Sequence, residues 1–274
     1  MTASIDHLPE LSSAYELSPA IVAGFRSDGH AVVRGLASPD EVAAYAPSIV
    51  QAALDHAWDK RPLAERDTYG KAFLQSLNLW QRDPVIRRFV FARRFAKVAA
   101  ELLGVIGVRL YHDQALCKEP GGGPTPWHQD QVYWPLDTDR TITMWMPLVD
   151  VRADMGVVFA SGTQRDGCLS THAIGDPSQE FFDDVVRSRS IPLVSHAPFR
   201  AGDATFHTGW TLHSAPPNPT AALRSVMTVI YYADGATVGP VDNPMRVWDQ
   251  QAWLGGVAPG SVAAGPHNPV LYSA

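Results

Sequence analysis

At 274 residues, with 46% hydrophobic and 18% charged residues, the chain is long and apolar enough to bury a sizeable core, which excludes wholesale disorder. A formal net charge of −6, with no segment dominated by Lys and Arg, argues against nucleic acid as a partner. Two cysteines, Cys117 and Cys168, cannot build a disulfide framework, and neither belongs to the C-x-x-C pair that structural zinc favours.

Met1 to Leu17 carry Asp6, His7, Glu10 and Glu16 in place of a basic segment and an apolar run, and no stretch reaches the roughly 18 apolar residues of a transmembrane helix. The expectation is a cytoplasmic protein with no membrane partner, its oligomeric state left open. Residues 1–18 read as a loose tail. Ser18-Pro19-Ala20 opens a helix over 20–28, and Gly29 stops it. His30-Ala31-Val32-Val33-Arg34-Gly35 reads as a strand. Ser38 is placed as N-cap, with Glu41 as its capping-box partner, for a helix running to about His56. Residues 84–104, where Val85, Phe89, Phe91 and Leu102-Leu103 sit among Arg and Lys, read as one further helix. Residues 19–104 are therefore expected to be mostly helical support.

From residue 105 the texture changes. Residues 105–117 are β-rich, and Glu119-Pro120-Gly121-Gly122-Gly123-Pro124 is a turn that no helix crosses. Residues 140–151, 191–194, 204–206 and 225–232 are further short strands between Gly/Pro turns. This predicts a mainly β chain with flanking helices, its jelly-roll core over 105–235 packed on the helical N-terminal part, and 236–274 as a C-terminal extension. All 274 residues are read as one catalytic domain. The polar, irregular stretches 57–80 and 165–190 are the candidates for a lid.

The segment Thr125-Pro126-Trp127-His128-Gln129-Asp130 carries the chemistry. On a strand or strand end, residues i and i+2 point to one side, so His128 and Asp130 converge. A distant second histidine would complete two nitrogens and one oxygen on one face of a metal, leaving the other positions open. His207 and His213 compete for that place. Arg224 lies 224 − 213 = 11 residues after His213. Its neighbours Val226, Met227, Val229 and Ile230 put it at the start of a buried strand, where an unpaired charge is costly.

These residues resemble the phytanoyl-CoA dioxygenase-like family of Fe(II)/2-oxoglutarate oxygenases. The similarity starts at Phe25-x-x-x-Gly29-His30-Ala31-Val32-Val33 and is densest over Lys118-Glu119-Pro120-Gly121-Gly122 and the H-x-D segment. It continues through Thr143-Met144-Trp145-Met146-Pro147-Leu148, Gly202-Asp203, and His213 with Asn218 and Arg224. The resemblance implies a double-stranded β-helix, the cupin-like jelly roll, in which His128, Asp130 and His213 hold Fe(II). It gives Arg224 the distal carboxylate of 2-oxoglutarate, which a guanidinium fork grips better than lysine would. Trp145 would lie beside this cosubstrate, with Thr125 close by, and O2 would be the third reactant.

The resemblance also implies oxidation of a small molecule. Hydroxylation is the first reading; cyclisation, epimerisation or desaturation are the alternatives. Asp130 stands where related halogenases have Gly or Ala, which argues against halogenation. Trp127, Tyr133, Trp134 and Trp210 cluster around the ligand segments in sequence and are candidates to line a pocket for an apolar or aromatic substrate. Abundant Ala, Gly, Pro and Arg suggest a GC-rich bacterial source, where such homologues tailor natural products. One position departs from the family pattern: Ser161-Gly162-Thr163-Gln164 replaces Pro-Gly-Ser-His. Two rivals remain. A non-catalytic jelly-roll binding protein is disfavoured by the complete ligand set with Arg224, and a zinc hydrolase would need a general base, for which Glu119 is the sole nominee. Cys117 is read as a small buried residue and Lys118 as solvated.

Overall fold

The computed structural model describes residues 7–274. The loose tail expected at 1–18 is packed down where it is described, and residues 1–6 lie outside the described residues. Leu8 and Leu11 are buried in the main core, and the carbonyls of Pro9 and Ser13 accept hydrogen bonds from Tyr45 Oη and Arg94 Nε. Two leucines in a polar stretch suffice to dock it.

Helix α1 (Pro19–Asp28) starts on Ser18, whose side chain accepts from Ile21 N, and ends at Gly29 with φ 80°. Strand β1 (His30–Val33) leads to α2 (Pro39–His56), where Ser38 and Glu41 form the reciprocal capping box. After β2 (Leu74–Leu77), the single helix expected over 84–104 is two, α3 (Pro84–Val90) and α4 (Arg93–Leu103). On one continuous helix Phe89 and Phe95 would sit about 120° apart. The break at Phe91-Ala92 lets both rings be fully buried in edge contact, 5.2 Å between centroids.

Strands β3 (Gly107–Lys118), β4 (Thr125–His128), β5 (Thr141–Pro147) and β6 (Val158–Ala160) follow. Next come α5 (Asp176–Ser188), β7 (Leu193–Ser195), β8 (Ala204–Thr208), β9 (His213–Ala215) and β10 (Arg224–Ala233). The chain closes with α6 (Pro244–Trp253) and β11 (Val270–Ser273). The larger sheet runs β1-β8-β5-β10-β3-β11, with β2 also on β3; the smaller runs β4-β9-β6-β7, and all pairings are antiparallel. This is the helix-flanked jelly roll expected from the sequence, with the difference that β1, β2 and β11 carry the larger sheet beyond the expected 105–235.

Strand alternation divides the larger sheet into two faces. Met227, Val229 and Tyr231 of β10, Met144 and Met146 of β5, and Phe206 of β8 pack into the core shared with α1, α2, α3 and α4. The intervening Arg224, Thr228, Ile230, Thr143, Trp145 and His207 face the other way and line a cavity that β4 and β9 close from the smaller sheet. Gly202 and Asp203, prominent in the sequence, are structural. Gly202 has φ +91°, and a Cβ there would meet Ala37 O at 2.1 Å. Asp203 accepts from Gly35 N, Arg200 N and Arg34 Nη1, tying the β1 and β8 corners together.

Candidate active site

The cavity between the sheets has a volume of about 480 Å³, within the range of sites that enclose a small organic ligand. β4 supplies His128 at its end, and Asp130 opens the short 3-10 turn that follows. A register irregularity in the β4–β9 pairing, between Thr125 and His128, lets these two residues, three apart, both face the cavity. β9 supplies His213, directly opposite His128 in register. One donor atom from each of His128, Asp130 and His213 lies within 4.8 Å of the others.

The ring orientations are fixed from behind. His128 Nδ1 donates to Pro126 O at 2.8 Å and His213 Nδ1 donates to Thr211 O at 3.0 Å. Each Nε2 is thereby left as a lone-pair donor facing Asp130 Oδ1, at 3.5 and 3.9 Å. Asp130 Oδ2 accepts from Thr143 Oγ1 at 3.0 Å and lies 3.3 Å from His207 Nε2. Burial, with His128 and His207 beside it, holds His213 well below the ordinary imidazole range. Burial would raise Asp130, but His213, His128 and His207 outweigh it and hold the carboxyl well below its usual range. A neutral imidazole and an ionised carboxylate are the forms a metal binds.

Arg224 lies in the same cavity, 3% exposed. Its Nη1 donates to Met155 O, its Nε has no partner, and its Cζ lies 5.6 Å from the Trp145 ring centroid. Burial lowers it to about 10. Lys118, opposite Arg224 in the β3–β10 register, is a correction to the sequence reading. It is fully buried rather than solvated, donating to Gly123 O at 2.6 Å and Thr125 Oγ1 at 3.3 Å, and burial together with Arg224 pushes it down to about 6. Among the described residues no carboxylate lies within ion-pair distance of either cation. A buried guanidinium without a carboxylate calls for an anionic ligand, whose arrival would also favour the charged form of Lys118.

The other sequence candidates divide. Thr125, Trp145, Tyr133 and Trp134 line the cavity; Trp127 and Trp210 do not. Trp127 points away and donates through Nε1 to Asp183 of α5, so it fastens that helix to the smaller sheet. Trp210 is half-buried, and its carbonyl accepts from Gln129. Gln164 lies at the end of α1, its amide donating to Ser27 O. Cys117 is buried, as expected. Glu119, the base nominated for a hydrolase, is engaged with Arg66 at 2.5 Å and is not among the cavity-lining residues. Of the two lid segments, 57–80 contributes Trp58, Tyr69, Phe73, Gln75 and Leu77 to the wall, and 165–190 contributes Ile174 and forms α5 over much of its length.

Sequence reasoning missed the wall from α6: Pro244, Met245, Trp248, Asp249 and Trp253. The Asn243-Pro244 start was a usable helix signal, since Asn243 caps it by accepting from Arg246 N. Nothing local told which face of that helix meets the cavity. His112 was missed for a different reason. The β3–β10 irregularity near Tyr111 breaks simple alternation, and Tyr111 and His112 both turn toward this side.

The sequence model of the phytanoyl-CoA dioxygenase (PhyH) family matches residues 25–226. The chain belongs to that family. The curated probable alpha-ketoglutarate-dependent hypophosphite dioxygenase of Stutzerimonas stutzeri is 25% identical over 134 residues. That match covers 47% of this chain and 46% of the relative, so the chain spans about half the length of the curated relative. Among solved structures, the non-heme alpha ketoglutarate-dependent carbocyclase SnoK from nogalamycin biosynthesis superposes with a TM-score of 0.74 at 25% identity, over 93% of this chain and 96% of that one. The epimerase SnoN from the same biosynthesis gives 0.74 at 26% identity with the same coverage. EctD from S. alaskensis, at 19% identity and a TM-score of 0.64 over 86% of each chain, shares the fold. No helix among the described residues is long and apolar enough to cross a membrane.

Proposed function

We propose that His128 Nε2, Asp130 and His213 Nε2 hold Fe(II), and that Arg224, with Lys118 and Thr125 behind it, holds 2-oxoglutarate against Trp145. The observation that carries this reading is the convergence of three metal donors with a buried guanidinium that no carboxylate neutralises, in one cavity, with Lys118 bonded to the lining residue Thr125. The donor set suits a non-haem iron site, and the guanidinium suits a carboxylate of the cosubstrate. Bound there, the iron would supply oxygen activation coupled to decarboxylation of 2-oxoglutarate to succinate and CO2.

The chain's own residues perform four tasks. The Pro126 and Thr211 carbonyls aim the two imidazoles. Thr143 fixes one oxygen of Asp130, which keeps the carboxylate from swinging away. Trp145, Val157, Leu116 and Phe73 keep the surroundings of Arg224 water-poor, which strengthens its grip on a carboxylate. Tyr133, Trp134, Trp248 and Trp253 offer an aromatic surface for a small organic substrate.

The reaction we favour is hydroxylation of a largely apolar small molecule in natural-product tailoring. Similarity to a carbocyclase and an epimerase supports a second reading, in which the same oxidation ends in ring closure or inversion. Calorimetric titration of the iron-loaded protein with 2-oxoglutarate under nitrogen tests the site. Saturable binding that weakens at least tenfold in Arg224→Ala is expected, and affinity unchanged in that variant would remove Arg224 from the role.

A further inference from the structure

Asp249 is 5% exposed and lines the same cavity. One oxygen, Oδ2, accepts from Tyr111 Oη at 2.7 Å. Among the described residues no Lys, Arg or His lies within ion-pair distance of it. A buried carboxylate without a counter-ion is costly, and a chain that needed only an acceptor for Tyr111 could use an amide. The surrounding wall is aromatic. Trp253 and Trp134 are buried cavity-lining residues, Trp248 meets Trp253 edge-on with centroids 5.1 Å apart, and Trp58 meets Trp248 at 5.5 Å. Trp248 and Trp58 remain 47% and 61% exposed. Two large aromatic side chains left open beside a cavity are what a ligand covers.

We infer that Asp249, Trp248, Trp253 and Trp134 form a subsite for a protonated amine, so that the substrate of this oxygenase carries a basic nitrogen. Tryptophan faces attract a cation through their quadrupole, and Asp249 supplies the neutralising charge. The cavity then sorts its two ligands by charge. The dianionic cosubstrate is drawn to Arg224, and a cationic substrate to Asp249. Burial raises the Asp249 carboxyl to about 7, so an arriving ammonium also draws it into the ionised form.

The inference rests on the oxygenase reading for the identity of the other ligand, and one experiment separates the two. The full chain, loaded with iron and 2-oxoglutarate under nitrogen, is titrated by calorimetry with N,N-dimethyl-1-naphthylmethylamine and with its neutral carbon isostere, 1-isobutylnaphthalene. The amine is expected to bind at least about tenfold tighter, the scale of a desolvated charge pair with cation–π support. In Asp249→Asn, which keeps an acceptor for Tyr111, the preference is expected to fall below about threefold with 2-oxoglutarate affinity unchanged. Equal affinity of the two probes in the unaltered protein, which needs no variant to fold, overturns the subsite. So does a preference that persists in Asp249→Asn. Absent 2-oxoglutarate binding overturns the oxygenase reading instead, while the amine preference is decided by its own titration.

Discussion

Lys118 and Arg224 face each other across the β3–β10 register, both buried and without a carboxylate partner among the described residues. Folding lets Lys118 release its proton near 6, whereas the unfolded chain holds it to about 10.5. Between those values the unfolded chain binds more protons, so this residue makes stability rise with pH across that window. Lys118→Met is expected to flatten that rise, seen as the difference in urea midpoints between the two proteins from pH 6 to 10. It should also stabilise the ligand-free form by about 1 kcal/mol at pH 7 and weaken 2-oxoglutarate binding. A second expectation concerns Arg224→Lys. The charge is kept but the planar fork is lost, so the 2-oxoglutarate Kd should rise about tenfold while the melting temperature moves little.

At the scale of the element, α2 shows one residue serving two ends. Glu41 closes the capping box on Ser38 and also takes the buried Arg94 guanidinium through two bonds of 2.9 Å. Its carboxyl is held below the usual range by the Arg94 hydrogen bonds. Ser38→Ala should cost about 1 kcal/mol in urea unfolding. Glu41→Ala, which leaves Arg94 buried without its carboxylate, should cost about 3 kcal/mol or more. Equal costs for the two would mean that Arg94 finds its charge balance elsewhere.

The same scale explains what was legible in the sequence. Caps and glycine stops are local chemistry, so α1 and α2 read correctly to within a residue. The strand expected over 225–232 is β10 (Arg224–Ala233), since its run of apolar and β-branched residues marks a buried strand. The H-x-D pair and Arg224 carried a family resemblance that the matching family model then bore out. α5 and α6 were not legible because their apolar faces answer to distant partners. Trp127 was assigned to the pocket because it neighbours His128, yet the irregular β4–β9 pairing turns it toward α5. Lys118 looked solvated because a lysine in a Gly/Pro-rich neighbourhood usually is, and only the closed register against β10 shows it to be buried.

For the whole molecule, the cavity joins both sheets to α6, the segment 57–80 and Ile174. His128, His213, Lys118 and Arg224 sit on strands of the jelly roll, with Asp130 in the turn directly after β4, and strands hold donors at fixed separation. The wall that α6 and the connecting segments add lies outside it, and can diverge without disturbing the proposed iron site. Removing α6 by truncation after residue 243 should therefore leave some 2-oxoglutarate binding and abolish selective binding of an aromatic ligand, as read by calorimetry. Loss of both together would make the wall and the cosubstrate site one cooperative unit.

His128, Asp130 and His213 are proposed to hold the iron at which 2-oxoglutarate is turned over. The most direct test supplies Fe(II), 2-oxoglutarate and O2 to the unaltered protein and to His213→Ala, each shown to be folded by circular dichroism, and quantifies succinate. Succinate is expected from the unaltered protein, with a loss of at least about a thousandfold in His213→Ala, the scale on which losing a metal ligand removes catalysis. Succinate formed by His213→Ala at the unaltered rate would contradict the assignment.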